Sequence, residues 1–239
     1  MIISDEPPPV SPSSFPYAYS LLHEFPAGAA SVLLREAKPV VLHRGDVLFR
    51  RGDPGDACFY IRSGLIKSSI MSDGGEESIV ALHGDGAIIG EIAMIDGLPR
   101  VVTAQALGDC RLDAIGRDAF RACLRDHPEM SAALIAMLAG RLRRAGEETA
   151  WANLLPARAR VARAMLRIVS VASADVGSSR RVVAVPMTRA DIAAMAGVSR
   201  EETSRALSAW RRAGTLSDKA GAAFEVDVAA LQAEAEDGK

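Results

Sequence analysis

The densest run of chemically competent side chains is PMTRADIAAMAGVSREETSRALSAWRRAGTL, residues 186–216. Within it Arg200, Glu201, Ser204 and Arg205 follow Ser199 closely enough to share the first turns of one helix. Arginine can donate two hydrogen bonds to O6 and N7 of guanine, glutamate can accept from N4 of cytosine, and serine can do either. Arg189, Arg211 and Arg212 flank this group with the charge that phosphate oxygens attract. The pattern is therefore suited to contact with duplex DNA.

Two helices must position these groups, and the spacing of hydroxyl and acid predicts where each begins. Thr188 with Asp191, and Ser199 with Glu202, have the separation of capping boxes, in which side chain and backbone satisfy each other at a helix start. Gly197 between them suits a tight turn. Ile192, Ala193, Ala196, Val198, Ala206 and Leu207 are small or apolar where two helices would touch, the make-up of a helix-turn-helix. Beyond it, two short strands around Lys219, Ala220 and Gly221 would form a wing. Charge agrees with this placement: the chain carries a formal −2 overall, yet residues 156–219 hold twelve basic residues against five acidic ones.

The rest of the chain differs in texture. Residues 40–116 are short apolar and β-branched runs between turn residues, which predicts a sandwich or barrel. Gly45, Gly52, Gly55, Gly64, Gly74, Gly75, Gly84 and Gly86 punctuate it as candidates for positive φ. Residues 117–127 read as a short helix that Pro128 interrupts. A long helix follows from Glu129 to about Asn153, with Leu134, Leu138, Leu142, Ala145, Thr149 and Ala152 as a narrow seam suited to a partner copy. Residues 173–182 read as a polar loop, and the Pro- and Ser-rich residues 1–18 as a flexible arm. The division expected is an arm over 1–18, a sensory domain over 19–127, a dimerisation helix over 128–155 and a DNA-binding domain over 156–239.

Several classes are disfavoured. No stretch has the length of a membrane span and the first residues lack the segments of a signal peptide, so the expected location is the cytoplasm. Cys58, Cys110 and Cys123 have no zinc-type spacing and read as reduced, buried thiols, and His23, His43, His83 and His127 are scattered. No metal is expected. Nucleophile-elbow, phosphate-loop and zinc-hydrolase motifs are absent, so the chain does not read as an enzyme.

The glycine-punctuated segment GDGAIIGEIAMIDGLPR, the long helix and TRADIAAMAGVSREETSRAL together resemble the bacterial regulators typified by the cyclic-AMP receptor protein and the fumarate and nitrate reduction regulator, over residues 35–226. The resemblance implies an α+β chain: a cyclic-nucleotide-binding-type jelly roll, a dimerising helix and a winged helix-turn-helix. It implies a homodimer on an inverted repeat with a TGA-like core, RNA polymerase as a partner, and DNA contacts at Arg189, Ser199, Arg200, Glu201, Ser204 and Arg205. It also assigns Gly90, Glu91, Arg100 and Val101 to the ligand site, with cAMP or cGMP as effector. Three positions depart from the cyclic-AMP pattern. Val101 stands where a hydroxyl is usual, and Ala145 and Gly146 stand where the long helix usually offers hydroxyls to adenine. Regulation without a cyclic nucleotide is therefore an alternative, as is a cyclic-nucleotide regulatory subunit that binds no DNA. The cysteines that would hold an iron–sulfur cluster near the N-terminus are absent.

Overall fold

Runs of apolar residues alternating with glycine and aspartate turns favour short antiparallel strands, and eight of them fold on one another. The computed structural model describes residues 33–172, 179–220 and 223–236. The strands are β1 (Lys38–Leu42), β2 (Val47–Phe49), β3 (Ala57–Ser63), β4 (Ile66–Met71), β5 (Glu77–His83), β6 (Ile88–Ile89), β7 (Thr103–Ala106) and β8 (Cys110–Gly116), with helix α1 (Ile92–Asp96) inserted before β7. They form two four-stranded sheets, ordered β1-β8-β3-β6 and β2-β7-β4-β5. The inward residues Phe49, Ile61, Ile66, Ile89, Ala104 and Leu112 fill the space between them. This is the jelly roll the resemblance implied. Of the glycines expected at positive φ, Gly55, Gly74 and Gly84 are not there. Gly55 and Gly84 answer to space instead: a Cβ on Gly55 would lie 2.2 Å from that of Ala93, and one on Gly84 3.0 Å from Val171.

Helix α2 (Arg117–Asp126) and the long α3 (Pro128–Leu154) follow, with Pro128 at the helix start where its missing N–H is harmless. The seam expected on α3 divides between two faces. Leu134 is buried with Met130 and Met137 against Phe120 and Ile115 of its own chain, and Leu138 packs beside them. The outward row is Ile135, Leu142 and Thr149, exposed and seven residues apart, with Ala139 and Gly146 between. A helix lying on a barrel needs one apolar face for that barrel, so the expected row mixed inward and outward positions.

The C-terminal part consists of α4 (Ala157–Ala172), β9 (Arg180–Ala184), α5 (Arg189–Ala196), α6 (Arg200–Arg212), β10 (Leu216–Asp218), β11 (Ala223–Asp227) and α7 (Val228–Glu236). The sheet order β10-β11-β9 provides the wing, and Gly221 at its tip lies outside the described residues, as does the arm expected over 1–18. Arg180–Val182, expected in a loop, belong to β9, which β11 pairs edge to edge. The two parts share a core: Ile79 and Leu82 of β5 pack with Val161, Met165 and Ile168 of α4, Val183 of β9, and Ile192 and Met195 of α5. Among the described residues no helix is long and apolar enough to cross a membrane.

Candidate nucleic-acid interface and effector cavity

Both capping boxes form. Thr188 Oγ1 accepts from Asp191 N at 3.1 Å while Asp191 Oδ2 accepts from Thr188 N at 2.8 Å. Ser199 Oγ accepts from Glu202 N at 3.1 Å, and Glu202 Oε2 accepts from Ser199 N at 3.0 Å. Hydrogen bonds from the Ser199 backbone and hydroxyl hold the Glu202 carboxyl below its ordinary range. Gly197 ends α5 at φ 61°, a left-handed conformation a side chain would strain. The turn so fixed buries Thr203, Ala206, Leu207 and Trp210 of α6 in the core. Its opposite face carries Arg200, Glu201 and Arg205, all exposed, with Ser204 half-buried beside them. Ser208, one turn beyond Ser204, and Arg212 extend that exposed face. Ser199 itself serves the cap with both its hydroxyl and its N–H.

The surplus of basic residues is not all available to phosphate. Arg158 forks onto Glu234. Arg160 donates to the carbonyl of Gly197 at 3.1 Å, Arg163 lies over the Trp151 ring at 3.8 Å, and Arg167 pairs with Glu148 at 3.0 Å. Arg180 pairs with Glu225 at 3.2 Å. Arg211, expected at phosphate, instead forks onto Asp218 of the wing at 2.8 to 3.2 Å, holding that carboxyl below its ordinary range. Arg189, Arg200, Arg205 and Arg212 are exposed and make no ion pair among the described residues.

In the N-terminal part, Gly90, Glu91, Arg100 and Val101 meet at one cavity of about 60 Å³, with Phe49, Ser68, His83 and Arg141. Arg100 is 4% exposed and donates to the carbonyl oxygens of Gly90, at 2.7 Å, and Ala57. Its guanidinium lies 4.3 Å from the Phe49 ring centre. Gly90 has φ 81°, and a Cβ there would lie 2.6 Å from Arg100 Nη1, so only glycine admits the guanidinium. Glu91 is 1% exposed and forms an ion pair with Arg141, reaching in from α3. Among the described residues, Glu91 Oε2 and Arg100 Nε are buried without a hydrogen-bond partner. Orphan polar atoms of opposite character in one cavity suit a ligand that is anionic at one point and donates a hydroxyl at another. Val101 is half exposed, and Ala145 and Gly146 are exposed on α3 with no polar side chain.

Between the two sites lies Lys67. It is 6% exposed, and its Nζ is 2.8 Å from Glu77 and 3.0 Å from Asp191, the acid of the α5 cap. Burial alone would lower the Lys67 ammonium and raise the Asp191 carboxyl. Hydrogen bonds to the two carboxylates raise the lysine, and those from Thr188 and Lys67 hold Asp191 low. Arg167 adds a hydrogen bond to the carbonyl of Val80 at 2.9 Å, so β4 and β5 are pinned to α4 and α5.

Residues 39–127 match the family described as Cyclic nucleotide-binding domain, and residues 159–234 that described as Crp-like helix-turn-helix domain. A CRP-like cAMP-activated global transcriptional regulator of Mycobacterium tuberculosis is 31% identical, over 79% of this chain and 84% of that one. The chain belongs to the CRP/FNR family of bacterial transcription regulators. The Cyclic AMP receptor protein of Thermus thermophilus is 33% identical over 72% of this regulator and 76% of its own length. Among solved structures, FixK2 from Bradyrhizobium japonicum shares the fold with a TM-score of 0.73 at 23% identity, covering 82% of this chain and 96% of that one. The catabolite activator protein of Thermus thermophilus is 30% identical with a TM-score of 0.52, covering 91% and 98%. The regulator thus joins a cyclic nucleotide-binding-type domain to a DNA-binding helix-turn-helix. Sequence reasoning missed Ser68, Lys67 and Arg141. They sit on a strand or helix with no local signature, and only their distant partners give them a role.

Proposed function

We propose that the protein is a homodimeric, sequence-specific regulator that reads an inverted repeat with a TGA-like core in the cytoplasm and engages RNA polymerase there. The observation that carries this reading is the division of α6, with Thr203, Ala206, Leu207 and Trp210 in the core and Arg200, Glu201, Ser204 and Arg205 on the outward face. Arg200, Glu201, Ser204 and Arg205 would meet base edges, while Arg189 and Arg212 would contact phosphates. Two copies joined along the outward row of α3 would place two such helices on successive major grooves, ~34 Å apart. The Arg200→Ala, Arg205→Ala double variant is the test, on a library of palindromic duplexes. Each bidentate arginine contact is worth roughly 1–3 kcal/mol of discrimination, so selectivity should fall by at least about tenfold while the dimer persists. Wild-type binding should also weaken steeply with salt. Selectivity unchanged in the double variant would overturn the assignment.

The coupling we propose runs through the β4–β5 ribbon. Ser68 and His83 line the cavity while their neighbours Lys67 and Leu82 contact the C-terminal part. A cyclic nucleotide whose phosphate met Arg100 and whose ribose hydroxyl met Glu91 would press on one face of the ribbon and shift the helix-turn-helix on the other. A second reading is that the protein acts without an effector. Arg141 already pairs with Glu91, both terminal nitrogens of Arg100 already donate to carbonyls, and about 60 Å³ is well short of the ~300 Å³ at which pockets for drug-sized ligands begin. DNA binding measured with and without cAMP and cGMP separates the two: a ligand-independent affinity for the operator favours the second.

A further inference from the structure

We propose that Ser68 and His83 are a base-reading pair, the contact by which this regulator selects the heterocycle of a purine cyclic nucleotide. The inference rests on the effector-coupled reading given above.

Five polar side chains line the cavity: Ser68, His83, Glu91, Arg100 and Arg141. The three charged ones have complementary chemistry for the charged and hydroxylated part of a nucleotide. Glu91 and Arg100 each keep a buried polar atom without a partner among the described residues, and Arg141 already neutralises the other Glu91 oxygen. That leaves one neutral polar pair for a neutral hydrogen-bonding edge. On β5, His83 stands opposite Ile66 and diagonal to Ser68 of β4, close enough for Ser68 Oγ and His83 Nε2 to lie 2.9 Å apart. Ser68 is 4% exposed.

Most other side chains turned into this layer of the barrel are apolar, Ile61, Ile66, Ile89 and Leu112 among them. An apolar pair could fill the two positions without the desolvation that a hydroxyl and an imidazole incur. A polar pair set in the wall of a cavity points to a ligand. Burial first, then the nearby Arg141 and Arg167 guanidinium groups, push the His83 ring down to about 3, so at neutral pH it is uncharged. No second hydrogen bond is made by the ring to the described residues. A neutral imidazole is one donor and one acceptor, so the ring nitrogen that does not face Ser68 is a donor or an acceptor and not both. Whichever it is, it fits a carbonyl such as guanine O6 or an amine such as adenine N6 and leaves the other unmatched, which is what separates the two bases. Neither Ala145, Gly146 nor Val101 can provide that contact from a side chain. Base selection would thus lie on the β4–β5 ribbon rather than on the long helix.

The test is titration calorimetry of the full-length protein with cAMP and with cGMP, comparing wild type with His83→Leu, Ser68→Val and His83→Gln. Thermal melts establish that each variant is folded. The wild type should separate the two nucleotides by more than about tenfold. His83→Leu and Ser68→Val should each bring that ratio to within about threefold, and His83→Gln, which keeps a donor and an acceptor, should restore part of it. A role confined to packing would weaken both nucleotides alike and leave the ratio where it was. The proposal falls if the ratio in both apolar variants equals the wild-type ratio, or if the wild type does not discriminate. Should His83→Leu fail to fold, Ser68→Val reports the same ratio. If neither nucleotide binds at millimolar concentration while the protein still selects its operator, the base-reading pair is refuted and the DNA-binding reading stands.

Discussion

Single residues here are governed by what surrounds them. His83 is a clear case: desolvation, then Arg141 and Arg167, lower its pKa from 6.5 to about 3. The folded protein therefore binds fewer protons at this ring than the unfolded chain does between those two values. The stability linked to His83 is fully present above about pH 6.5 and is lost as pH falls toward 3, by up to about 1.4 kcal/mol per pH unit. Urea unfolding followed from pH 7 to pH 4 should show this slope, and His83→Gln should flatten it by the equivalent of one proton. Identical slopes in the two proteins would mean that the ring titrates as an ordinary exposed histidine. The arginines make the complementary point. Those that pair with Glu234, Glu148, Glu225 and Asp218 direct their charge to a carboxylate of the same chain, and Arg189, Arg200, Arg205 and Arg212 keep theirs turned to solvent.

At the scale of elements, the period-two alternation of a strand is what lets one ribbon serve two sites. Successive side chains of β4 point to opposite faces, so Ser68 lines the cavity and Lys67 meets the cap of α5. Lys67→Met keeps the length of the stem and removes the charge, leaving Glu77 and Asp191 without their shared cation. It should lower the unfolding free energy by roughly 1–3 kcal/mol, less than for a fully buried pair because Glu77 is partly exposed. If the ribbon transmits, the same variant should shift operator affinity by at least about threefold at a temperature where it remains folded. A stability loss with unchanged DNA affinity would make Lys67 a structural residue only. Gly84 belongs to this scale too, since its missing side chain is what lets the end of β5 approach Val171 of α4.

For the whole molecule, the outward row of α3 sets the expectation. Leu142 is 75% exposed and Ile135 67%, an unusual outlay of apolar surface on a helix whose other face is already buried. Leu142→Glu should convert the protein to a monomer in size-exclusion chromatography with light scattering, and should weaken binding to a two-half-site operator by more than about tenfold through the loss of paired engagement. A variant that remains dimeric would place the partner copy on a different surface.

Much of this protein was legible without its structure because the signals are local. A capping box is settled within four residues, so Thr188 with Asp191 and Ser199 with Glu202 announced both helices of the reading motif, and Gly197 announced the turn. The strands of the jelly roll were readable from turn residues and alternation in the same way. Only the tertiary structure could decide which cations remain free, which face of α3 looks outward, and that Ser68, His83, Glu91 and Arg141 converge. Glu91 and Arg141 are 50 residues apart, and Lys67 and Asp191 are 124 apart. Such pairs are made by the packing of one sheet against two helices, and no residue type or spacing along the chain encodes that packing by itself.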